Sequence, residues 1–123
     1  MEHNIPLMAR VLDQITRHPD THDQSTWCNC IAGWAVRLAG GYVFRREPGS
    51  LRDGIEVLNT ATGTVEDIET VAARLLGLWD EEAKGLFAAT DTDAVHWLED
   101  IIVTHQTKTL DQLAQRVDEA VAA

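Results

Sequence analysis

The sequence predicts a mainly α-helical single domain over residues 1–123: a compact bundle of about six helices with a short β-hairpin-like excursion around residues 42–60. Two observations predict this class. Apolar residues recur at helical spacing on both sides of the excursion. Inside it, short β-branched and aromatic runs at 42–44 and 55–58 replace that spacing. With 45% hydrophobic and 24% charged residues, a chain of this length can fill one core.

Two helices are predicted in the first third of the chain. The first begins at Pro6, because proline suits the first turn of a helix, and ends at His18-Pro19, because a residue before proline avoids helical geometry. Its apolar face is Met8, Val11, Leu12 and Ile15. The second is predicted to be capped by Ser25 or Thr26 and to end at Gly40-Gly41. Its apolar stripe is Trp27, Ile31, Trp34, Ala35 and Leu38.

The excursion has a turn sequence between its two runs. Glu47-Pro48-Gly49-Ser50 separates residues 42–44 from 55–58, which favours a β-hairpin. The excursion also carries Arg45, Arg46 and Arg52, so we expect a small basic spot on an acidic molecule.

Four more helices are predicted after residue 63, from capping residues and apolar periodicity. Thr64 is predicted to cap a helix that ends at Gly77, and Asp80 to cap a short one. Asp91 or Thr92 opens the fifth helix, with Trp97 and Leu98 on its apolar face. A capping box, Thr109-x-x-Gln112, predicts a sixth helix, whose apolar face is Leu110, Leu113, Val117 and Val121.

The net charge of −10 falls mostly in the second half of the chain. Residues 1–60 carry a net −1 and residues 61–123 a net −9. Such a surface repels phosphate, so direct binding to nucleic acid or to anionic membranes is not expected. It is compatible with a basic protein partner or with DNA mimicry, and acidity also simply keeps a small protein in solution.

The N-terminal residues and the length of the apolar runs indicate the cellular compartment. Met1-Glu2-His3-Asn4 lacks the basic start and apolar stretch of a secretory signal, and no apolar run is long enough to span a bilayer. Cys28 and Cys30 are too close in sequence for an unstrained disulfide. We therefore expect a cytoplasmic protein.

A candidate metal site is the run His18-x3-His22-x5-Cys28-x-Cys30. Two imidazoles and two thiols are ligands that tetrahedral zinc prefers, so zinc is a possible cofactor. The spacing departs from zinc knuckles, which separate their cysteines by two to four residues. A structural alternative places His18 at a helix end and one cysteine in the core.

The same stretch also holds the parts of a cysteine nucleophile. His18 or His22 would be the base, and Asp20 or Asp23 would orient it. The parts are confined to one short stretch, and the chain contains no glycine-rich phosphate loop, Gly-x-Ser-x-Gly or His-Glu-x-x-His. We therefore assign no catalytic residue.

Protein binding is the function that these features favour. Tryptophan is prominent in binding hot spots, and among the chain's four we select Trp27 and Trp97 as candidates. The acidic run Asp80, Glu81 and Glu82 is the candidate for a basic partner. We expect an acidic, non-enzymatic interaction protein; the alternatives are a small zinc-binding or regulatory domain and an acidic DNA mimic.

Three segments together resemble a known family. Residues 27–35 read Trp-Cys-Asn-Cys-Ile-Ala-Gly-Trp-Ala, residues 71–78 contain Ala-Arg-Leu-Leu-Gly-Leu, and residues 82–87 read Glu-Ala-x-x-Leu-Phe. The combination resembles a family of small uncharacterised proteins of actinobacteria and their phages, over residues 7–40 and 64–115. The resemblance implies a helical fold and a bacteriophage or actinobacterial origin. That family usually separates its two cysteines more widely than Cys28 and Cys30.

Overall fold

The computed structural model describes residues 2–24, 29–46 and 55–122. In these ranges the chain forms five α-helices and a three-stranded antiparallel sheet. In chain order, the elements are α1 (Ile5–Arg17), a 3-10 turn (Pro19–Thr21), α2 (Ile31–Ala39), β1 (Tyr42–Arg46), β2 (Ile55–Asn59), β3 (Val65–Asp67), α3 (Ile68–Leu76), α4 (Asp80–Phe87) and α5 (Asp91–Ala122).

Helix α1 begins as its sequence predicts. Pro6 lies in the first turn, and the Asn4 side-chain oxygen accepts a hydrogen bond from the Leu7 amide at 3.2 Å. That bond satisfies one of the amides that a helix start leaves without a partner. The buried face of the helix is Leu7, Met8, Val11 and Ile15.

Helix α2 begins later than predicted. It starts at Ile31, after Asn29 and Cys30, which are not helical. The predicted caps, Ser25 and Thr26, lie outside the described ranges. The Ile31 amide donates to the side-chain oxygen of Gln24 at 2.8 Å. A cap supplied from seven residues upstream leaves no local sequence signal, which explains the error. The predicted stop is confirmed, because Gly40 follows the last turn with a φ of 75°.

The predicted hairpin is confirmed, and the sheet extends beyond it. Strands β1 and β2 pair antiparallel from Tyr42 opposite Asn59 to Arg46 opposite Ile55. Strand β3 pairs with β2, with Val65 opposite Leu58. Three residues are too few to show a β period, so the sequence did not predict β3. Of the predicted basic spot, Arg45 is exposed, while Arg52 and the side chain of Arg46 lie outside the described parts.

An arginine connects α2 to the sheet. The Arg37 guanidinium lies 5.1 Å from the ring centre of Trp34 and 5.3 Å from that of Phe44. Both distances suit a cation–π contact. Trp34 in turn donates its indole N–H to the Thr21 carbonyl at 3.0 Å. The indole thus joins the chain before α2 to the helix, and the guanidinium joins the helix to β1.

The connections around α3 and α4 largely follow the sequence. Helix α3 ends at Gly77, as predicted, in the left-handed conformation. Its N-cap is Asp67 rather than the predicted Thr64, because β3 occupies the residues between them. Helix α4 begins at Asp80, so the prediction that Asp80 caps it is wrong: the N-cap is Trp79, one residue earlier.

The fifth and sixth predicted helices are one. Helix α5 runs without a break over 32 residues, so five helices replace the predicted six. Thr109 does not cap a new helix: its hydroxyl donates to the His105 carbonyl at 3.0 Å, one turn back in the same helix. Residues 91–122 contain no glycine or proline to end a helix, and threonine can satisfy its hydroxyl within one.

One apolar core joins these elements. It contains residues of α1, α2, α3 and α4, two residues of β2, and Ala94 and Leu98 from the start of α5. No helix within the described residues combines the length and the apolar content that crossing a membrane requires.

An exposed ion pair fixes α3 against β3, and it gives the first testable prediction. The Arg74 guanidinium makes two hydrogen bonds of 2.9 Å to the Glu66 carboxylate. These bonds hold the pKa of Glu66 below its ordinary value. The ionised pair therefore stabilises the fold above the unfolded-state pKa, and this contribution disappears as the pH falls through the lowered folded-state pKa.

We expect Glu66→Gln and Arg74→Gln each to lower the free energy of unfolding at pH 7. The double variant should lose less than the sum of the two single losses, and this difference is the coupling energy of the pair. Urea unfolding at a series of pH values measures this coupling as a double-mutant cycle. It should disappear as the pH falls through the lowered pKa of Glu66, where the carboxyl becomes protonated in the folded state. A coupling of equal size at low pH would show that the pair contributes by packing rather than by charge.

Candidate functional site

The candidate metal ligands lie at the start of α2 and in the chain before it. His18 is exposed and follows the last residue of α1. His22 is half-buried, and Cys30, 1% exposed, belongs to the core. Cys28 lies outside the described residues. Within 2–24, 29–46 and 55–122, no three histidine, cysteine or acidic side chains are grouped as a metal site requires.

Gln24 organises this segment through three contacts of its side chain. Its amide oxygen accepts from Ile31, and its amide nitrogen donates to the Leu86 carbonyl at 3.2 Å. These two bonds fix which end of the amide is oxygen. The His22 Nε2 atom lies 2.9 Å from that oxygen and therefore carries a proton, so only Nδ1 of His22 is left to bind a metal ion.

Zinc binding therefore stays a prediction, and the structure limits how His22 could take part in it. A metal held by His22 requires either Nδ1 or the loss of the Gln24 contact. Zinc analysis of untagged protein tests it: about one equivalent supports the site, and less than about a tenth contradicts it. The nucleophile hypothesis is disfavoured at Cys30, because a thiol buried among apolar side chains is unreactive.

Trp27 lies outside the described residues, and Trp97 is half-buried on α5. The indole of Trp97 lies over Gly85 of α4, where an added Cβ would come within 2.6 Å of its ring. Glycine at position 85 thus lets α4 and α5 approach closely. The main role of Trp97 is therefore to pack α5 against α4, and the part of its side chain that stays exposed lines a groove.

The groove lined by Trp97 has a volume of about 1120 Å³. It lies between the N-terminal residues and α5 and is open to solvent. His3, His96 and His105 line it beside Asp93 and Asp100. The lining mixes imidazole and carboxylate side chains, and its charged side chains are exposed rather than enclosed.

Glu82 differs from its two acidic neighbours. One carboxylate oxygen accepts from the Trp79 amide at 3.1 Å and so caps α4, and the other lies 2.9 Å from the Nε2 atom of His3. Its structural contacts make it a poor anchor for a partner. Asp80 and Glu81 are exposed, so the acidic surface predicted for a basic partner is best represented by these two.

Trp79 is an exposed residue that our sequence analysis did not select. Its side chain is 59% exposed, directly before Asp80 and Glu81. An indole exposed beside two carboxylates has the composition of an interface residue. The sequence did offer one sign that Trp79 is exposed: it lies in the connection before α4, outside any apolar stripe.

The second half of α5 extends beyond the core. Every residue from 103 to 118 is exposed, a length of about 24 Å at 1.5 Å per residue. We call its four large exposed apolar side chains the α5 stripe: Val103 (56% exposed), Leu110 (66%), Leu113 (50%) and Val117 (61%). The sequence predicted most of these residues as the packing face of a sixth helix. Among the described residues, these four belong neither to the core nor to the partly buried side chains packed against it.

The α5 stripe is not a continuation of the helix's buried face. At 100° per residue, its centre lies about 125° around the helix from the face of Ala94 and Leu98. The helix therefore presents one apolar face to its own core and, further along, a second one in another direction. A helix side without such a role is normally polar.

Comparisons with protein-family models, with curated proteins and with solved structures found no match for this chain.

Proposed function

We propose that this chain is a small non-enzymatic interaction protein that binds another protein surface through the α5 stripe. The observation that carries the proposal is the exposure of four large apolar side chains along one side of the extended helix. Water contact makes such a stripe unfavourable, and burying each side chain is worth about 1.5–3 kcal/mol. The proposal also follows from the absence of familiar catalytic motifs in the sequence.

The mode of binding follows from the shape of the stripe. An amphipathic helix that presents apolar residues one or two turns apart binds in an apolar groove or packs against another helix. Under the proposal, Trp79 with Asp80 and Glu81 forms a second contact region, suited to a basic surface. The family resemblance makes a phage or an actinobacterial host the source from which to seek a partner.

Photo-crosslinking tests the proposed function. A photoreactive amino acid at position 110 lies in the α5 stripe, and the same group at position 112 lies on the opposite side of α5. We expect position 110 to crosslink to a discrete polypeptide, either from actinobacterial lysate or a second copy of this chain, and position 112 to give none. The recovered polypeptide is then purified and titrated against the unlabelled chain.

Two variants that add the same charge, one inside the α5 stripe and one outside it, test whether binding depends on the stripe. Leu110→Glu/Leu113→Glu places two carboxylates in the stripe, and Gln112→Glu/Gln115→Glu places two on exposed positions outside it. We expect the first variant to lower the affinity by about 100-fold or more, since two buried leucines are lost. The second should change it little. Equal effects of the two variants would contradict the proposal.

A further inference from the structure

The α5 stripe has the spacing of a coiled-coil seam. Val103, Leu110 and Val117 are seven residues apart, and Gln106 and Leu113 occupy the intervening positions of the same repeat. Apolar residues separated alternately by three and four positions form the seam between two supercoiled helices. The stripe therefore fits another helix lying alongside it.

The charge of the residues that flank this seam indicates which kind of helix can pair with it. The four positions that flank it are Thr107, Thr109, Ala114 and Arg116, and none of them is acidic. The carboxylates of the segment, Asp111 and Asp118, lie further round the helix. Residues 103–118 contain two carboxylates and two cations and are neutral, in a chain with a net charge of −10.

A neutral seam does not select the charged partners that the rest of the surface would attract. A basic partner would gain from acidic flanking positions, and a nucleic acid would require a basic helix. A second copy of this chain would normally be repelled by the first. The segment without net charge lets two copies approach without adding to this repulsion.

We propose that the α5 stripe pairs with the same stripe of a second copy, with the two helices antiparallel. This inference rests on the proposed function and names its partner. In this arrangement Leu110 lies opposite Leu113 of the second copy, and Gln106 lies opposite Val117. Arg116 lies beside Thr109 of the second copy, so no like charges meet across the seam.

The antiparallel direction follows from where the charge lies. Residues 1–102 carry a net −9, and a parallel pair would place these two acidic parts side by side. Antiparallel pairing places them at opposite ends of the paired helices. The stripe also lies about 125° from the buried face of α5, so a second helix can lie along it without displacing the core.

Sedimentation equilibrium tests the pairing. The whole chain is compared with Leu110→Glu/Leu113→Glu and with the control Gln112→Glu/Gln115→Glu, which adds the same charge outside the seam. We expect a dimer for the wild type and the control, and at least a tenfold weaker association for the seam variant. Both variants alter only exposed positions, and their near-ultraviolet circular dichroism verifies that the fold is retained.

Spin labels test the orientation. A label at Glu99→Cys, in a Cys28→Ser chain, reports the distance between the two copies. Antiparallel pairing centred between Leu110 and Leu113 separates the two labelled positions by about 37 Å along the helices at 1.5 Å per residue. A parallel pair would hold them about 10 Å apart, the spacing of packed helices, and would overturn the proposed orientation.

The outcomes distinguish this inference from the proposed function. A wild type that stays monomeric at high micromolar concentration overturns the pairing. If the seam variant then still loses binding to a crosslinked partner, the proposed function stands without the dimer. If neither self-association nor stripe-dependent binding is found, both are wrong. A dimer that both variants weaken equally would place the contact elsewhere and also overturn the pairing.

Discussion

Replacement of Gly77 by alanine is expected to lower the free energy of unfolding by about 3 kcal/mol. Gly77 ends α3 with a φ of 72° and a ψ of 39°, in the left-handed region that a side chain disfavours. Space is a second and larger obstacle. A Cβ at this position would overlap the carbonyl oxygen of Glu2, which belongs to the backbone and cannot rotate away.

The surroundings of Gly77 prevent an easy adjustment. The Asn4 amide donates to the Leu76 carbonyl at 2.8 Å, and the Asn4 side chain donates to the Leu75 carbonyl at 2.9 Å. These bonds hold the N-terminal residues against the end of α3. An alanine at 77 therefore has to break them or distort the helix end, and either change adds to the conformational cost.

Gly63→Ala is the matched control for this substitution. Gly63 has a φ of 75°, but no atom lies within 4 Å of the position its Cβ would take. We expect a loss of about 1 kcal/mol, the conformational part alone. Urea unfolding of both variants measures the difference. Equal losses would show that the N-terminal residues do not press on α3 in solution.

Leu98→Ala is the second large expected effect, with a loss of about 3 kcal/mol. Leu98 is fully buried and, with Ala94, joins α5 to the core. Its truncation removes apolar contact and leaves a cavity at the only buried part of the helix within the described residues. We expect the second half of α5 to lose helicity as well, because Leu98 is the last fully buried described residue before it.

Leu110→Ala provides the comparison on the same helix. Leu110 is 66% exposed, so within one chain its truncation should change the free energy of unfolding by less than about 0.5 kcal/mol. Any loss that arises through association depends on protein concentration, whereas the loss at Leu98 does not. Unfolding measured over a range of concentrations separates the two. A large loss at Leu110 that is independent of concentration would mean that the stripe packs against its own chain.

Much of the fold could be predicted because its signals are local. Pro6 lies in the first turn of α1, Gly77 ends α3, and the β runs at 42–44 and 55–58 lie in paired strands. In each case the residues that determine the backbone lie within a few positions of it. The start of α2 could not be predicted, because its cap comes from Gln24, seven residues earlier.

The candidate site was less predictable than the fold. The periodicity of Leu110, Leu113 and Val117 is equally compatible with a packed face and an exposed one, because a helical period records amphipathicity and not the partner. The sequence correctly assigned these residues to a helix but gave no sign that the core would end before them. Trp79 was missed for a related reason, since exposure depends on the tertiary structure.

The continuity of α5 also changes how its exposed half comes to be helical. An isolated helix of this length is marginal in water, because forming the first turn is unfavourable. Here Ala94 and Leu98 fix the first turns against the core, so residues 103–118 are added to a nucleus that already exists. Each added residue contributes little, so the part of residues 103–118 furthest from the core frays before the core unfolds. The number of ordered residues that a partner meets therefore falls gradually towards the core as the temperature rises.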